Sequence, residues 1–574
     1  MTVSFYRTFI VRAFQLILIW RNLFGKWRDN GRNSSVDKCT YILQIINSYV
    51  IFLSTSSTFF YKRYYCTVMK MNDYDIPDTK FRLYLRQLLT ISGQLIGICV
   101  TGMSFGYSAI LLPQLKTNST NNIKSLFESV DADHFGVLSI DQESWIAAST
   151  LLPIVPGCCT GGFMAEKLGR KTSVMLIFPV YLIGWLIIGF ANSIEVLIAG
   201  SFLSGYCVGV LAPIYSIYVS ETSDPLLRGI LLGAGNLTLS VGILACHAMG
   251  TWLHWRTTAY ICGVLPVICW IVSVYSQESP LWLLRKGKFE EAKRSWIYLR
   301  GKESLEEFSL LETIRLAEIS GKKIKKRSLL QSQKKMWISR YFLKPLSIIC
   351  LYFFIMQFSG SNVMTFYCIE MLVSVSHSPY GVMLIIDTIR LIFAILMCVL
   401  LKTCRRRTVT FISCYGCAII MLSLSVCLTF DIGKPWSFVI LIVTYIILVS
   451  LGLTTLPWML CGELFPRKYC EFGSGLASSF NYMCMFIVIK TMPLMMEFMQ
   501  LEGTFAVYGI ATLIGSSVLY FILPETKNKT LQEIQICLDK KCYTPKAQNV
   551  DVPFDECVFS KKNDELDEKM LVEW

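Results

Sequence analysis

Twelve apolar stretches, each long enough to cross a bilayer, constrain this chain more than any other feature. They fall at about residues 87–111, 144–165, 173–191, 196–220, 228–250 and 257–276, then at 343–370, 379–401, 408–430, 436–462, 472–497 and 504–523. A membrane span needs about 20 apolar residues, and the bilayer interior admits only helices or closed barrels. The expected fold is therefore an all-α membrane protein, with twelve transmembrane helices in two six-helix bundles. Only 16% of the 574 residues are charged and 53% are hydrophobic, against roughly 25% charged in soluble domains. That balance excludes a disordered chain and an ordinary cytosolic enzyme.

The formal charge is +14. In a soluble protein that would suggest nucleic acid, but in a multi-span protein basic residues gather in cytoplasmic loops. The polar stretch 277–342 is such a region, with KKIKKR at 322–327 and the helix-like run FEEAKRSWIYLR at 289–300. If it is cytoplasmic, both ends of the twelve-span core are cytoplasmic too. GRK at 169–171 and CRRR at 404–407 then fall inside, while 113–143, with Asp131, Asp133, Asp141 and Glu143, falls outside. The 22 cysteines are scattered through apolar runs, without the CxxC and His spacing of a zinc site. Buried free thiols are expected, with no metal and no cofactor.

The two halves repeat. Glu221 and Pro225 follow the fourth span as Glu463 and Pro466 follow the tenth, and Glu278–Ser279–Pro280 follows the sixth as Pro524–Glu525 follows the twelfth. Basic turns follow the second and eighth spans. Paired six-span repeats are the layout of alternating-access transporters. The expected divisions are an extension 1–80, a bundle 81–276, a cytoplasmic helical linker 277–342, a bundle 343–534 and a cytoplasmic tail 535–574.

Six strings then carry a resemblance: GGFMAEKLGRK (161–171), YVSETSDPLLRG (218–229), QESPLWLL (277–284), QFSGSNVMTFY (357–367), LPWMLCGELFP (456–466) and PETKNKTLQEI (524–534). Each is weak alone. Together, in this order and each at a span end, they resemble the sugar porter family of the major facilitator superfamily over about 82–535. GMSFGYSAILLPQL (102–115) and GNLTLSVGIL (235–244) look most like its insect facilitated trehalose transporter branch.

The resemblance implies substrate contacts at Gln357, Asn362, Asn236, Asn481 and Trp458. The chemistry agrees, because a sugar hydroxyl both donates and accepts and so does an amide. Gln357 and Asn362 lie about 140° apart on a straight helix, so aiming both at one substrate requires a break at Ser359–Gly360–Ser361. The competing reading for each polar residue is a hydrogen bond between helices. The resemblance likewise implies a cytoplasmic gate of Glu166, Arg170, Glu221, Arg228, Glu278 and Glu463, against the alternative of a solvated charged face.

Several family positions depart from the pattern. Ser201, Leu281 and Cys470 stand where the family has arginines, and Leu401 where it has an acid. Thinned in this way, the gate is expected to favour the inward-open state. Pro457 alone remains of a richer Gly–Pro run, which predicts a stiffer tenth span. Proton-linked relatives carry an aspartate and an arginine where this chain has Ser108 and Ser201, so facilitated diffusion is expected. Asp387 and Arg390, inside the eighth span, are expected to pair with each other at i,i+3.

A sugar, trehalose or glucose-like, is thus the expected substrate, carried across the plasma membrane with no enzyme activity and no nucleic-acid partner. Two other readings stay open: a non-transporting sugar receptor, and a proton-coupled symporter using Asp387. The apolar segment 41–60 invites a thirteenth span, weakened by Gln44 and Asn47, and Met69 or Met71 offers a second start before a family-like beginning. Of the four sequons, only Asn118 lies in an expected outer loop, as a glycosylation site.

Overall fold

The computed structural model describes residues 80–117, 138–322, 340–373, 378–430, 435–465 and 470–526, all within one compact unit that begins at Thr79. Segment 41–60, Asn118, most of the KKIKKR run and the tail after 535 lie outside the described residues. Among those described, every regular element is helical.

The chain runs through α1 (Lys80–Thr117), α2 (Ile140–Ala148), α3 (Ile154–Leu168), α4 (Arg170–Gly189), α5 (Ile194–Thr222), α6 (Pro225–Trp252) and α7 (Trp255–Tyr275). Three short helices follow: α8 (Pro280–Arg285), α9 (Phe289–Arg300) and α10 (Leu305–Lys322). The second half holds α11 (Arg340–Phe358), α12 (Val363–Phe366), α13 (Cys368–Val373), α14 (Pro379–Thr403) and α15 (Arg406–Thr429). It ends with α16 (Pro435–Leu448), α17 (Leu456–Leu464) and α18 (Cys470–Ile522).

Helix occupies all twelve expected stretches. Among the described residues, nine helices are long and apolar enough by themselves to cross a membrane. The rest of the twelve arise from breaks. The second span is α2 plus α3, interrupted before Pro153, a residue that cannot donate to the preceding turn. Turn bonds from Leu151 N–H to Ala148 O (2.9 Å) and from Ile154 N–H to Leu151 O (3.2 Å) satisfy the interruption. The seventh span is α11, α12 and α13. The long α18 is two spans joined at Gln500, whose φ of 56° leaves the helical region.

The tenth span, whose hinge was expected to be stiffer, is irregular upstream of Pro457. A π-helical turn, Val449–Leu453, separates α16 from α17. Ser413 Oγ takes up the slack, donating to Leu448 O (2.6 Å) and accepting from Leu453 N–H (3.0 Å). Such bulges recur at functional sites.

The halves meet along two seams. The fifth span, α6, packs on the eighth, α14, and the first part of α18, the eleventh span, packs on α2 and α3, the second. Adding six to each ordinal exchanges the two seams, so a pseudo-twofold axis relates the halves, as the sequence repeat requires. Helices α8 to α10 carry their own small core of Trp282, Leu283, Leu284, Ala292, Trp296 and Phe308. They are tied to α1 through Gln87 Nε2, which donates to Leu299 O (2.9 Å). The side of the bundle where they sit is here the linker end, and the opposite side the far end. The described cysteines are free thiols, most of them buried.

Candidate functional site

About midway along the seventh span the helix stops, and the stop is where the amides converge. Helix α11 ends at Phe358, and Gly360 takes a φ of 82°, a left-handed conformation that glycine adopts without strain. Ser359 Oγ and Ser361 Oγ both donate to Met356 O (2.7 and 3.0 Å), and Tyr445 Oη of α16 donates to Ser359 O (2.7 Å). The irregular backbone is thereby satisfied inside the protein, the condition for its survival at membrane depth.

The break aims both amides of this span at one point. Asn362 Nδ2 donates to Gln357 Oε1 (2.7 Å), and Gln357 Nε2 donates to Asn481 Oδ1 of α18 (2.7 Å). Gln357 and Asn481 are buried, and Asn362 is half-buried. Asn236 does not join this cluster. From α6 it reaches across the seam and donates to Thr455 Oγ1 at the head of α17 (2.9 Å). Trp458 packs edge-on against Phe353 (5.0 Å between centroids) and near Tyr482 (6.1 Å), yet keeps 36% of its surface accessible. Tyr482 in turn lies 6.5 Å from Phe105 of α1, so this aromatic set lines the boundary between the halves.

At the linker end the charges form a network, buried at Arg170, Glu221 and Glu278 and exposed at Arg285. Glu221 Oε1 accepts from Arg170 Nη2 (2.8 Å) and from Arg285 Nη2 (3.0 Å), while Glu221 Oε2 accepts from Ser279 Oγ (2.5 Å). Glu278 Oε1 accepts the backbone N–H groups of Arg170 (2.9 Å), Lys171 (3.2 Å) and Ser279 (3.0 Å). A carboxylate over a helix start is favourable, because the first N–H groups there have no helical partner. Burial pushes the Glu278 carboxyl up from the ordinary glutamate range, and those same N–H groups hold it back. Gly169, between α3 and α4, makes the contact possible: its φ is 102°, and a Cβ there would stand 2.5 Å from Glu278 Oε2.

The second half repeats the device. Glu525 accepts from the backbone N–H groups of Arg406 and Arg407 (3.2 Å each) at the start of α15. Of the other expected gate residues, Arg228 is half-buried at the start of α6. Glu166 is exposed and contributes only its backbone carbonyl, which accepts from Trp282 Nε1 (2.8 Å). The side chains of Glu463, Leu401 and Cys470 lie outside the described residues.

Three functional candidates were missed in the sequence. Arg285 completes the Glu221 network. Lys490 of α18 bridges the far end, donating to Asp141 Oδ1 (2.7 Å) and Ser144 Oγ (2.6 Å) of α2, with its ammonium 4.3 Å from the Trp145 ring. Lastly, the expected Asp387–Arg390 pair is present at 3.4 Å, but Asp387 Oδ2 also lies 2.5 Å from Nδ1 of His247 in α6. Only the intramembrane charge of Asp387 signalled this contact in the sequence.

Comparison with known proteins agrees with this geometry. The family model described as "Sugar (and other) transporter" matches residues 41–538. The chain is similar to the facilitated trehalose transporter Tret1 of Drosophila mojavensis, 28% identical over 459 residues, which cover 78% of this chain and 51% of that protein. It is also similar to Tret1 of Polypedilum vanderplanki, 27% identical over 467 residues, covering 80% and 89%. The chain spans about half the length of the first Drosophila relatives it matches. Among solved structures, the proton:xylose symporter XylE bound to 6-bromo-6-deoxy-D-glucose superposes with a TM-score of 0.62 at 19% identity, over 78% of this chain and 98% of that one. The inward open conformation of XylE from E. coli gives 0.61 at 18%, over 79% and 99%. At that identity the likeness establishes the major facilitator fold. By the span of the family match, on a fold already evident from its helices, the chain belongs to the sugar (and other) transporter family.

Proposed function

We propose that the protein carries a sugar, trehalose or a glucose-like monosaccharide, across the plasma membrane by facilitated diffusion. The observation that supports this most directly is the Gln357–Asn362–Asn481 cluster at the break of the seventh span. Two hydrogen bonds chain these amides together through Gln357, and a sugar hydroxyl, both donor and acceptor, can replace an amide partner without leaving either group unsatisfied. Asn236 and Trp458 would supply the opposite wall and an aromatic face for the C–H surface of the ring. Rocking of bundle 81–276 against bundle 343–534 about the two seams would expose the site to each side in turn. The linker end is assigned to the cytoplasm, with both core termini, because 277–342 is basic. Asn118 would then lie outside and accept a glycan.

Uncoupled transport is favoured by Ser108 and Ser201, which are buried and carry no charge where a proton-coupling pair would require one. The deciding experiment is uptake of labelled trehalose and glucose into proteoliposomes with and without a pH gradient. Saturable uptake that the gradient leaves unchanged, and that Gln357→Ala reduces at least about tenfold by removing buried hydrogen bonds, is the expected result. Binding without uptake would instead identify a receptor.

A further inference from the structure

His247 is the one histidine of the four that lies inside an apolar stretch of span length. It sits five residues from the far end of α6, and Asp387 sits eight residues into α14. Their contact spans the seam between the halves, with His247 1% and Asp387 2% exposed. Both oxygens of Asp387 are engaged, Oδ2 by His247 Nδ1 (2.5 Å) and Oδ1 by Arg390 Nη1 (3.4 Å). The other ring nitrogen, Nε2, is buried with no hydrogen-bond partner among the described residues. It faces Gly106 of α1, where a Cβ would stand 3.1 Å from it.

Two independent arguments set the sign of protonation here. The first is charge: Asp387 and Arg390 already cancel, so a proton on His247 gives the buried cluster a net positive charge. The second is geometry: that proton would sit on Nε2 as an N–H without an acceptor, against the α1 backbone. Among the described residues, the titratable groups that bear on the Asp387–Arg390 pair are thiols and a phenol. Cys246 on α6 and Cys368 on α13 lie within electrostatic reach of Asp387, Tyr445 on α16 within reach of Arg390, and Cys262 on α7 and Tyr107 on α1 beside Cys246. Arg256 at the start of α7 adds a further positive charge near Tyr107, and the nearby acid Glu370 on α13 bears on Tyr367. Thiols and phenols are neutral through the range in which imidazole titrates.

We propose that His247 is a proton-binding site that opens the far end of the transporter: neutral, it holds α6 to α14 through Asp387; protonated, it favours parting of the halves, where water can reach Nε2. The proposal rests on the alternating-access reading, but its test does not require transport. Backbone amide exchange, corrected for its intrinsic pH dependence, is measured on the full chain in nanodiscs at about pH 7.5 and about pH 5.5, on either side of the free imidazole value. In the wild type, exchange at the far ends of α6 and α14 should rise about threefold or more on acidification, the scale of a modest shift between two states. His247→Gln should abolish the response. Arg390→Gln should weaken it, because a protonated His247 would then balance Asp387 while its Nε2 proton still lacks an acceptor. An identical acid response in His247→Gln, or tightening of the wild type by acid, would overturn the proposal. Sugar accumulation driven uphill by a pH gradient and lost in His247→Gln would also overturn it, by making the proton a travelling co-substrate. Acid loosening without any sugar uptake would leave the proton site standing and count against the transport reading alone.

Discussion

Gln357 illustrates how much one side chain can carry. It is buried, accepts from Asn362 and donates to Asn481, so it links a helix break to a neighbouring span. Gln357→Ala and Asn481→Ala should each lower the sugar affinity, and each should cost about 1–3 kcal/mol of stability, because the partner amide is left unmatched. The double variant should cost clearly less than the sum, as residues in one hydrogen-bond network do; additive costs in paired thermal-melt and binding measurements would dissolve the cluster. Glu278 belongs to the same scale. Burial raises its carboxyl above the ordinary value of about 4.3, so between those two values the folded protein binds more protons than the unfolded chain. Its linked stability therefore increases as pH falls through that window and is lost as pH rises. In melts taken across the ordinary glutamate range and above it, Glu278→Gln should remove this contribution while keeping an oxygen over the start of α4.

Elements show where the sequence was readable and where it was not. The twelve stretches could be read because a bilayer demands an unbroken apolar length, and the break in the seventh span because Gln357 and Asn362 could not otherwise face one substrate. The π-helical turn of the tenth span was not legible: Val449–Leu453 reads as an ordinary apolar run, and the hydroxyl that satisfies its backbone, Ser413, is on another helix. His247 was missed for a similar reason. Its partner lies 140 positions away on a helix whose rotation the pattern does not fix. The bridge from Lys490 to α2 is likewise a contact between distant segments. At the element scale, Gly360→Val should strain the left-handed turn by about 1–3 kcal/mol. It would also press a side chain toward the Tyr508 ring, 3.0 Å from a Cβ at that position. Reduced melting temperature together with weakened sugar binding is expected; wild-type binding would show that the turn does not orient the amides.

For the whole molecule, the two seams and the paired carboxylates make the halves recognisably one plan used twice. Glu278 covers the start of α4 as Glu525 covers the start of α15, and in the first half the Arg170–Glu221–Arg285 network lies beside this device. The far end is fastened differently, by Lys490 on the exposed Asp141, where the carboxylate is 76% accessible. Such an ion pair contributes roughly 0–1 kcal/mol, too little to matter for folding and enough to matter for a balance between states. Lys490→Ala should leave the melting temperature near the wild-type value while widening the distance between spin labels on the far ends of α2 and α18. An unchanged distance distribution would remove Lys490 from the closure.

The matched amides at the seventh-span break also bear on time. Because Gln357 is already bonded to both Asn362 and Asn481, a ligand engaging it at the proposed site would exchange partners rather than add them. Binding there would then be shallow, and a bound molecule would leave readily. Short residence is what a carrier requires on the side where it must let go, and the same matching lets the empty site close and return without stranding a buried polar group. A receptor would need the opposite arrangement, with donors and acceptors held open for its ligand and slow to release it.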